Sequence, residues 1–393
     1  MDKKKRHIEE YLLKILDFFP IVGVLGARQV GKTTVVECIK SKINKQIVYI
    51  DLESPSDRRK LEDAELFLES QQEKCVIIDE VQRNKDLFPI IRSLVDKYKV
   101  NSRFIILGSA SPELIRDSSE SLAGRIAYVE LYPFNIYELK FENINKHWLQ
   151  GGFPLSYLTD DLFYSSEWRE NFIRTYIERD IPLLGLDVRN VDFRKFLNLL
   201  AHINAQSINY SNLSKSMELT IPTINKYVDF LEKAFLLKKL LPFSINNKKK
   251  LVKSPKLYFT DTGILHQLLS ISTFNELQAN IYQGASWENY VIIQIASLLK
   301  KEYNLYYYRT HNGAEIDLII EKSNIVFYAI EIKYTNSPKL SKGNYFAFQD
   351  VSALQNFVIT PSSDNYPIKN NIEIIGLKDF VNKLIEEEHT VVI

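Results

Sequence analysis

Three groups of residues in this 393-residue chain have types and spacings that could do chemistry. The first is Gly26-Ala27-Arg28-Gln29-Val30-Gly31-Lys32-Thr33, followed by Thr34, which fits the phosphate-binding pattern G-x-x-x-x-G-K-[ST] at every fixed position. Its glycines let the backbone curl so that N–H groups converge on phosphate oxygens, and a helix opening near Lys32 adds the positive end of its dipole. Lys32 would reach the β- and γ-phosphates of a nucleotide and the Thr33 hydroxyl would ligate Mg2+. Thr34 suits packing or capping better than metal binding. The second group is Asp79-Glu80, at the end of the apolar run Cys75-Val76-Ile77-Ile78. Asp79 would hold the same Mg2+, directly or through water, and Glu80 would polarise the attacking water as general base. The third group is dispersed: Glu288, Asp317, Glu331 and Lys333. Glu288, Asp317 and Glu331 offer hard oxygen ligands to Mg2+, and Lys333 would orient a nucleophile or stabilise developing charge, which suits phosphodiester hydrolysis.

These roles need particular elements around them. Ile21–Leu25 reads as a buried parallel strand before the glycine loop, and Thr34–Ile39 as the opening of a helix after it. A buried strand over Cys75–Ile78 delivers Asp79 and Glu80 to the same sheet edge. Ile47–Asp51 is a further strand and Asp57–Ser70 an amphipathic helix. A strand over Arg103–Gly108 ends at Ser109, which could orient water, sense the γ-phosphate or cap the strand. Arg125 precedes a strand over Ile126–Leu131 and reads as an arginine finger, a sensor or a surface arginine; Arg28 carries the same alternatives. In the third group, Glu288 shares the helical stripe of Ile292, Ile295 and Leu299, where a buried carboxylate needs something to bind. Alternation along Val326–Tyr334 puts Glu331 and Lys333 on one face. This set resembles the PD-(D/E)XK nuclease core, with a scaffold that only binds or assembles as the competing reading.

Between these groups, Gly151-Gly152-Phe153-Pro154 marks a boundary, and Ser166–Ile181 reads as a helix ending in the charge cluster Glu178-Arg179-Asp180. Phe193–Ile203 reads as an apolar helix and Asn209–Met217 as a short one. A third opens at Thr220-Ile221-Pro222 and carries Ile224, Tyr227, Val228, Leu231 and Phe235 at helical spacing. Two short helices and a tight turn form a helix-turn-helix pattern. Leu236–Leu241 and Lys256–Phe259 would be wing strands around a tip at 246–250. DNA would meet Thr223, Asn225 and Lys226, with its phosphates on Lys248, Lys249 and Lys250. A winged helix that binds protein fits the same pattern.

Lys and Arg number 50 against 49 Asp and Glu, a formal net charge of +1, so any nucleic-acid surface is local. Cys38 and Cys75 lie in apolar surroundings and read as buried thiols of a reducing compartment. With no signal-peptide pattern and no apolar run of spanning length, the expectation is a soluble, cytoplasmic protein without a membrane partner. A homo-oligomer is open.

The runs Gly-Ala-Arg-Gln-Val-Gly-Lys-Thr-Thr, Ile-Ile-Asp-Glu-Val-Gln, Ile-Leu-Gly-Ser-Ala-Ser and Ser-Leu-Ala-Gly-Arg together resemble one family. It is the prokaryotic AAA-type ATPases whose C-terminal half is a domain of unknown function. Tyr176–Ile181 and Phe259–Ile264 resemble that C-terminal half. The resemblance implies binding of ATP and its hydrolysis. The expected fold class is α/β: a P-loop NTPase parallel sheet over 1–145, a helical winged-helix section over 146–265, and an α/β nuclease-like domain over 266–393. The expected function is an ATPase that couples nucleotide state to a DNA-binding or Mg2+-dependent nuclease-like half. The alternative is a non-nucleolytic ATP switch that controls assembly or binding to protein or DNA.

Overall fold

Runs of β-branched residues too short for helices make buried strands, and here they sort into two sheets. The computed structural model describes residues 4–109, 122–180, 190–244, 253–362 and 364–391. It divides into two compact units, residues 1–134 with 233–236 and 392–393, and residues 135–232 with 237–391.

In the first unit β1 (Ile21–Gly26), β2 (Ile47–Asp51), β3 (Cys75–Asp79), β4 (Phe104–Ser109) and β5 (Ile126–Glu130) form a sheet in the order β2-β3-β4-β1-β5. Each neighbouring pair is parallel. Parallel strands bury both faces, and all six positions of β1 and all five of β3 are buried. Register sets Gly26 beside Ser109 and Asp51 beside Asp79, so the polar strand ends gather at one edge. The helix Leu87–Tyr98 lays Phe88, Ile91 and Leu94 into a core with Ile50, Leu68, Ile78 and Phe104. The helix expected over Asp57–Ser70 is two helices, Pro55–Lys60 and Ala64–Ser70. The break falls at Asp63, which leaves helical geometry and accepts the Leu66 N–H at 3.1 Å as an N-cap. Cys75 is buried, as expected, but Cys38 is only half-buried.

The second unit carries a mixed sheet of β6 (Leu237–Pro242), β7 (Lys256–Phe259), β8 (Asn304–Arg309), β9 (Glu315–Lys322), β10 (Ile325–Ile332), β11 (Gln355–Thr360), β12 (Tyr366–Ile368) and β13 (Ile372–Gly376). Their order is β12-β13-β11-β10-β9-β8-β6-β7. β8, β9 and β10 form an antiparallel meander, β10, β11 and β13 are parallel, and β12 and β7 close the edges as antiparallel partners of β13 and β6. β6 joins the meander through Leu241 and Pro242, parallel to β8. Three helices, Asn190–His202, Tyr210–Met217 and Ile221–Lys233, precede this hairpin. Thr220 accepts the Thr223 N–H at 3.3 Å, the N-cap its position calls for. The expected wing tip, with Lys248, Lys249 and Lys250, lies outside the described residues.

The helix Gln283–Leu298 is enclosed on nearly every side rather than along the expected stripe, and its Trp287 and Tyr290 pack against Trp148. Ser286 joins this core: its Oγ accepts the Trp148 Nε1–H at 2.9 Å and contacts His266 Nε2 at 2.6 Å. Burial holds the His266 pKa down to about 4. The Gly151-Gly152 break serves packing: the Gly152 N–H donates to buried Asp261 at 2.7 Å, and Asp261 caps the helix Thr262–Leu268. The helix expected over Ser166–Ile181 runs from Leu162 to Phe172 and continues as π-helix to Asp180. In it Glu178 is bonded to Arg194 at 2.7 Å.

Candidate functional site

The glycine loop joins β1 to the helix Lys32–Ile39. Gly31 has φ +101°, a conformation that side-chain-bearing residues resist, and it opens the helix. A Cβ on Gly26 would come within 2.4 Å of the Leu131 carbonyl oxygen, so only glycine fits where β1 enters the loop. Arg6 braces the loop from behind, donating to Val30 O at 3.1 Å and to Tyr132 O at 2.5 Å.

Lys32 is only 7% exposed and donates to Gly26 O and Ala27 O, both at 3.0 Å. Among the described residues its hydrogen-bond acceptors are two neutral carbonyls. Burial pulls its pKa down to about 8, Glu80 and Asp79 pull it back up, and Arg28 lowers it again. Asp79 joins the two motifs. Its Oδ2 accepts from Thr33 Oγ1 at 2.8 Å and from Tyr49 OH at 2.5 Å, and its Oδ1 accepts the Glu80 N–H at 2.9 Å. Glu80 sits in left-handed backbone geometry, φ +53°, and accepts from Gln82 Nε2. Such strain concentrates at working residues. Burial raises the Glu80 carboxyl, opposed by Lys32.

These residues fit a Mg2+–nucleotide. Thr33 and Asp79 lie within hydrogen-bond distance, so one cation could take both, and among the described residues the buried Lys32 ammonium has no carboxylate in direct contact, which leaves room for a phosphate. Thr34 is exposed, and the backbone of Ser109 borders Gly26 while its side chain lies outside the described residues. Arg125 requires a correction. Its neighbour Ile126 pairs with Ile21, the far end of β1, and five strand steps to Gly26 span about 16 Å. Arg125 is bound to Asp96, Nε to Oδ1 at 2.5 Å and Nη2 to Oδ2 at 2.9 Å. Within its own chain it is an ion-pair partner, not a sensor of the phosphates.

The dispersed group also comes together, around a residue that sequence reasoning missed. Lys256, on β7, is 1% exposed and reaches Glu315 at 2.8 Å, Glu288 at 3.0 Å and Asp317 at 3.3 Å. Tyr258 OH donates to the same Glu288 oxygen at 2.6 Å. Asp317 Oδ2 accepts the Ile332 N–H at 2.9 Å, and Glu331 pairs with Lys333 at 2.6 Å. Burial tends to lower the Lys256 pKa, but Glu288, Tyr258, Asp317 and Glu315 outweigh it and hold the ammonium well above its usual value. Burial, with Asp317 nearby, raises Glu288 to about 7 and Glu331 well above its ordinary range. Two of the three expected metal ligands, Glu288 and Asp317, are thus bonded to an ammonium. Among the described residues no group of three or more His, Cys, Asp or Glu is arranged to hold a metal ion. No helix among them is long and apolar enough to cross a membrane.

Three family models match in succession: an AAA domain over residues 19–140, a domain of unknown function (DUF8612) over 141–275, and a domain of unknown function (DUF4143) over 283–380. An uncharacterized protein of Mycobacterium tuberculosis is 36% identical over 369 residues, 94% of this chain and 82% of the relative. The chain belongs to the family that joins this AAA domain to DUF4143. A more distant uncharacterized protein, from Haemophilus influenzae, is 24% identical over 368 residues, 84% of this chain and 87% of the relative. Among solved structures, a Walker-type ATPase of Pyrococcus abyssi is similar with a TM-score of 0.44 and 17% identity, covering 68% of this chain and 96% of its own. By the family model over residues 19–140, the amino-terminal part is an AAA-type, nucleotide-binding ATPase domain, and the loop and Asp79-Glu80 fall within it.

The sequence assigned no site role to Tyr49, Gln82 or Arg6, and placed Lys256 in a wing strand. Only Tyr49 left a usable signal, a hydroxyl in the middle of a mostly apolar strand, two residues before its polar end at Asp51.

Proposed function

We propose that this DUF4143-family ATPase is an ATP-hydrolysing switch whose carboxyl-terminal half binds or assembles rather than cleaves. The Thr33–Asp79 hydrogen bond carries the ATPase reading, because it joins the two halves of a nucleotide site in one contact. The loop N–H groups and Lys32 would hold the phosphates of ATP, and Thr33 and Asp79 its Mg2+, which would neutralise charge developing on the transferred phosphoryl group. Glu80, raised by burial, accepts a proton more readily than an exposed carboxylate, and Gln82 fixes its direction. Replacing Glu80 by Gln keeps the shape and removes the base. Turnover should fall roughly 10²- to 10⁴-fold with ATP binding retained. Unchanged turnover would sink the assignment.

The binding reading of the second half rests on Lys256, which engages the carboxylates that a nuclease would give to metal. It is tested by incubating single- and double-stranded DNA with Mg2+, with and without ATP, beside Glu331→Ala and Lys32→Ala. Cleavage lost in Glu331→Ala would establish a nuclease instead. DNA binding without cleavage has its own support: two helices and an antiparallel hairpin follow in winged-helix order, and Lys226 is exposed. Against it, Asp229 and Glu232 of the same helix hold Lys239. DNA affinity falling steeply with salt would favour that role.

A further inference from the structure

A buried lysine among carboxylates is either an ordinary ion pair or a cation assigned to a site. Three features of Lys256 favour the second. Its ammonium has three N–H donors and no acceptor, and it meets three carboxylates, from Glu288 on one helix and from Glu315 and Asp317 on β9. Its delivery is fixed by backbone pairing rather than by a wandering side chain. Lys256 is in register with Leu240 of β6 and bridged to Ser207, and its ammonium lies 5.5 Å from the Tyr307 ring centre. Tyr258, two residues on and so on the same face of β7, aims its hydroxyl at the same carboxylate of Glu288.

The remaining carboxylate has the opposite character. Glu331 is 3% exposed; its Oε1 pairs with Lys333, but its Oε2 is buried and has no hydrogen-bond partner among the described residues. β10 sets it one residue beyond the paired Ile330 and Leu318, level with Asp317. The cluster therefore holds a saturated ammonium and, beside it, one unanswered carboxylate oxygen. As they stand these carboxylates are not arranged to hold a metal ion; without the ammonium, those of Glu288 and Asp317 would be free to turn toward the Glu331 oxygen and offer hard ligands of the kind Mg2+ or Mn2+ takes.

We propose that Lys256 is the built-in cation of this pocket, an ammonium standing where a nuclease-like core would hold a divalent metal, so that the pocket is closed to metal while Lys256 is in place. This deepens the binding reading of the second half and rests on it.

The test counts Mn2+ bound to the full-length, nucleotide-free protein by electron paramagnetic resonance, in an Asp79→Asn background that removes the other metal ligand set. With Lys256 present, no Mn2+ should bind at up to about millimolar concentration. Lys256→Met should bind one Mn2+ per chain and unfold at a higher temperature with Mn2+ than without. Adding Asp317→Asn should abolish both effects. Should Lys256→Met fail to fold without metal, Lys256→Met with Glu315→Gln removes one charge of each sign and is read in the same way. Mn2+ bound by the Lys256 chain and lost with Asp317→Asn would overturn the proposal. So would a folded Lys256→Met chain that binds none. Metal-independent DNA cleavage would sink the binding reading and leave the Mn2+ count unaffected.

Discussion

Two lysines, one in each unit and each almost wholly buried, have opposite surroundings. Lys32 is held by two neutral carbonyl oxygens, and burial lowers its pKa to about 8. Lys256 is held by three carboxylates, which raise its pKa despite burial. An ammonium whose hydrogen bonds go to neutral dipoles, with Asp79 and Glu80 acting on it only through space, can still gain a directly bonded counter-anion, and a phosphate supplies one. An ammonium answered by three anions has little left to gain from a ligand. The same residue type thus makes an open binding site in one unit and a closed one in the other.

Stability measurements break this comparison most directly. Removing one partner of a buried ion cluster leaves uncompensated charge, so Lys256→Met should cost about 3–5 kcal/mol. Lys32→Met removes a desolvated ammonium at the expense of two hydrogen bonds, and should lie within about 1 kcal/mol of wild type. Urea unfolding of both nucleotide-free variants checks the pair. Equal losses would mean that the two environments do not differ energetically. Binding sharpens the contrast next: Lys32→Ala should weaken ATP roughly 10- to 100-fold, the range for a hydrogen bond to a charged group. Calorimetry with a non-hydrolysable analogue reads this directly. Unchanged affinity would remove Lys32 from the phosphate site.

The two sites were unequally legible in the sequence for a related reason. The phosphate loop is local: eight contiguous residues between a strand and a helix determine its geometry, so Lys32, Thr33 and the Gly31 turn could be read directly. Asp79-Glu80 followed from one buried strand and the parallel-sheet rule. The second site is assembled from β7, β9, β10 and a helix, and its carboxylates were found only because their order resembled a known core. Lys256 read as a residue of a wing strand. β7 does pair with β6 as a wing would, but β6 also joins β8, and that continuation carries Lys256 into the same sheet as Asp317. Periodicity assigns an element, not its neighbours across a sheet. Arg125 stayed open among finger, sensor and surface arginine for the complementary reason. Its type suited a phosphate sensor, but the register of β5 on β1 put it at the wrong end of the strand.

The finest distinction between the two lysines is their response to pH. Lys32, lowered from 10.5 to about 8 in the nucleotide-free protein, is charged below pH 8 and increasingly neutral above it. Phosphate favours the ammonium, so ATP binding above pH 8 must take up a proton. Affinity should then fall as pH rises, by at most about tenfold per unit. Stability of the nucleotide-free protein moves the other way. Between about pH 8 and 10.5 the unfolded chain binds more protons at this residue than the native one, so Lys32 contributes a rising stability across that window. Lys256 is raised, so its contribution is fully present below its unfolded pKa and is lost as pH rises from there through its higher folded value; below about pH 10 it adds almost no slope. Unfolding measured at several pH values from 7.5 to 10 should therefore lose its alkaline rise in Lys32→Met. A slope that persists in that variant would show that the rise comes from other groups, and that Lys32 is charged throughout.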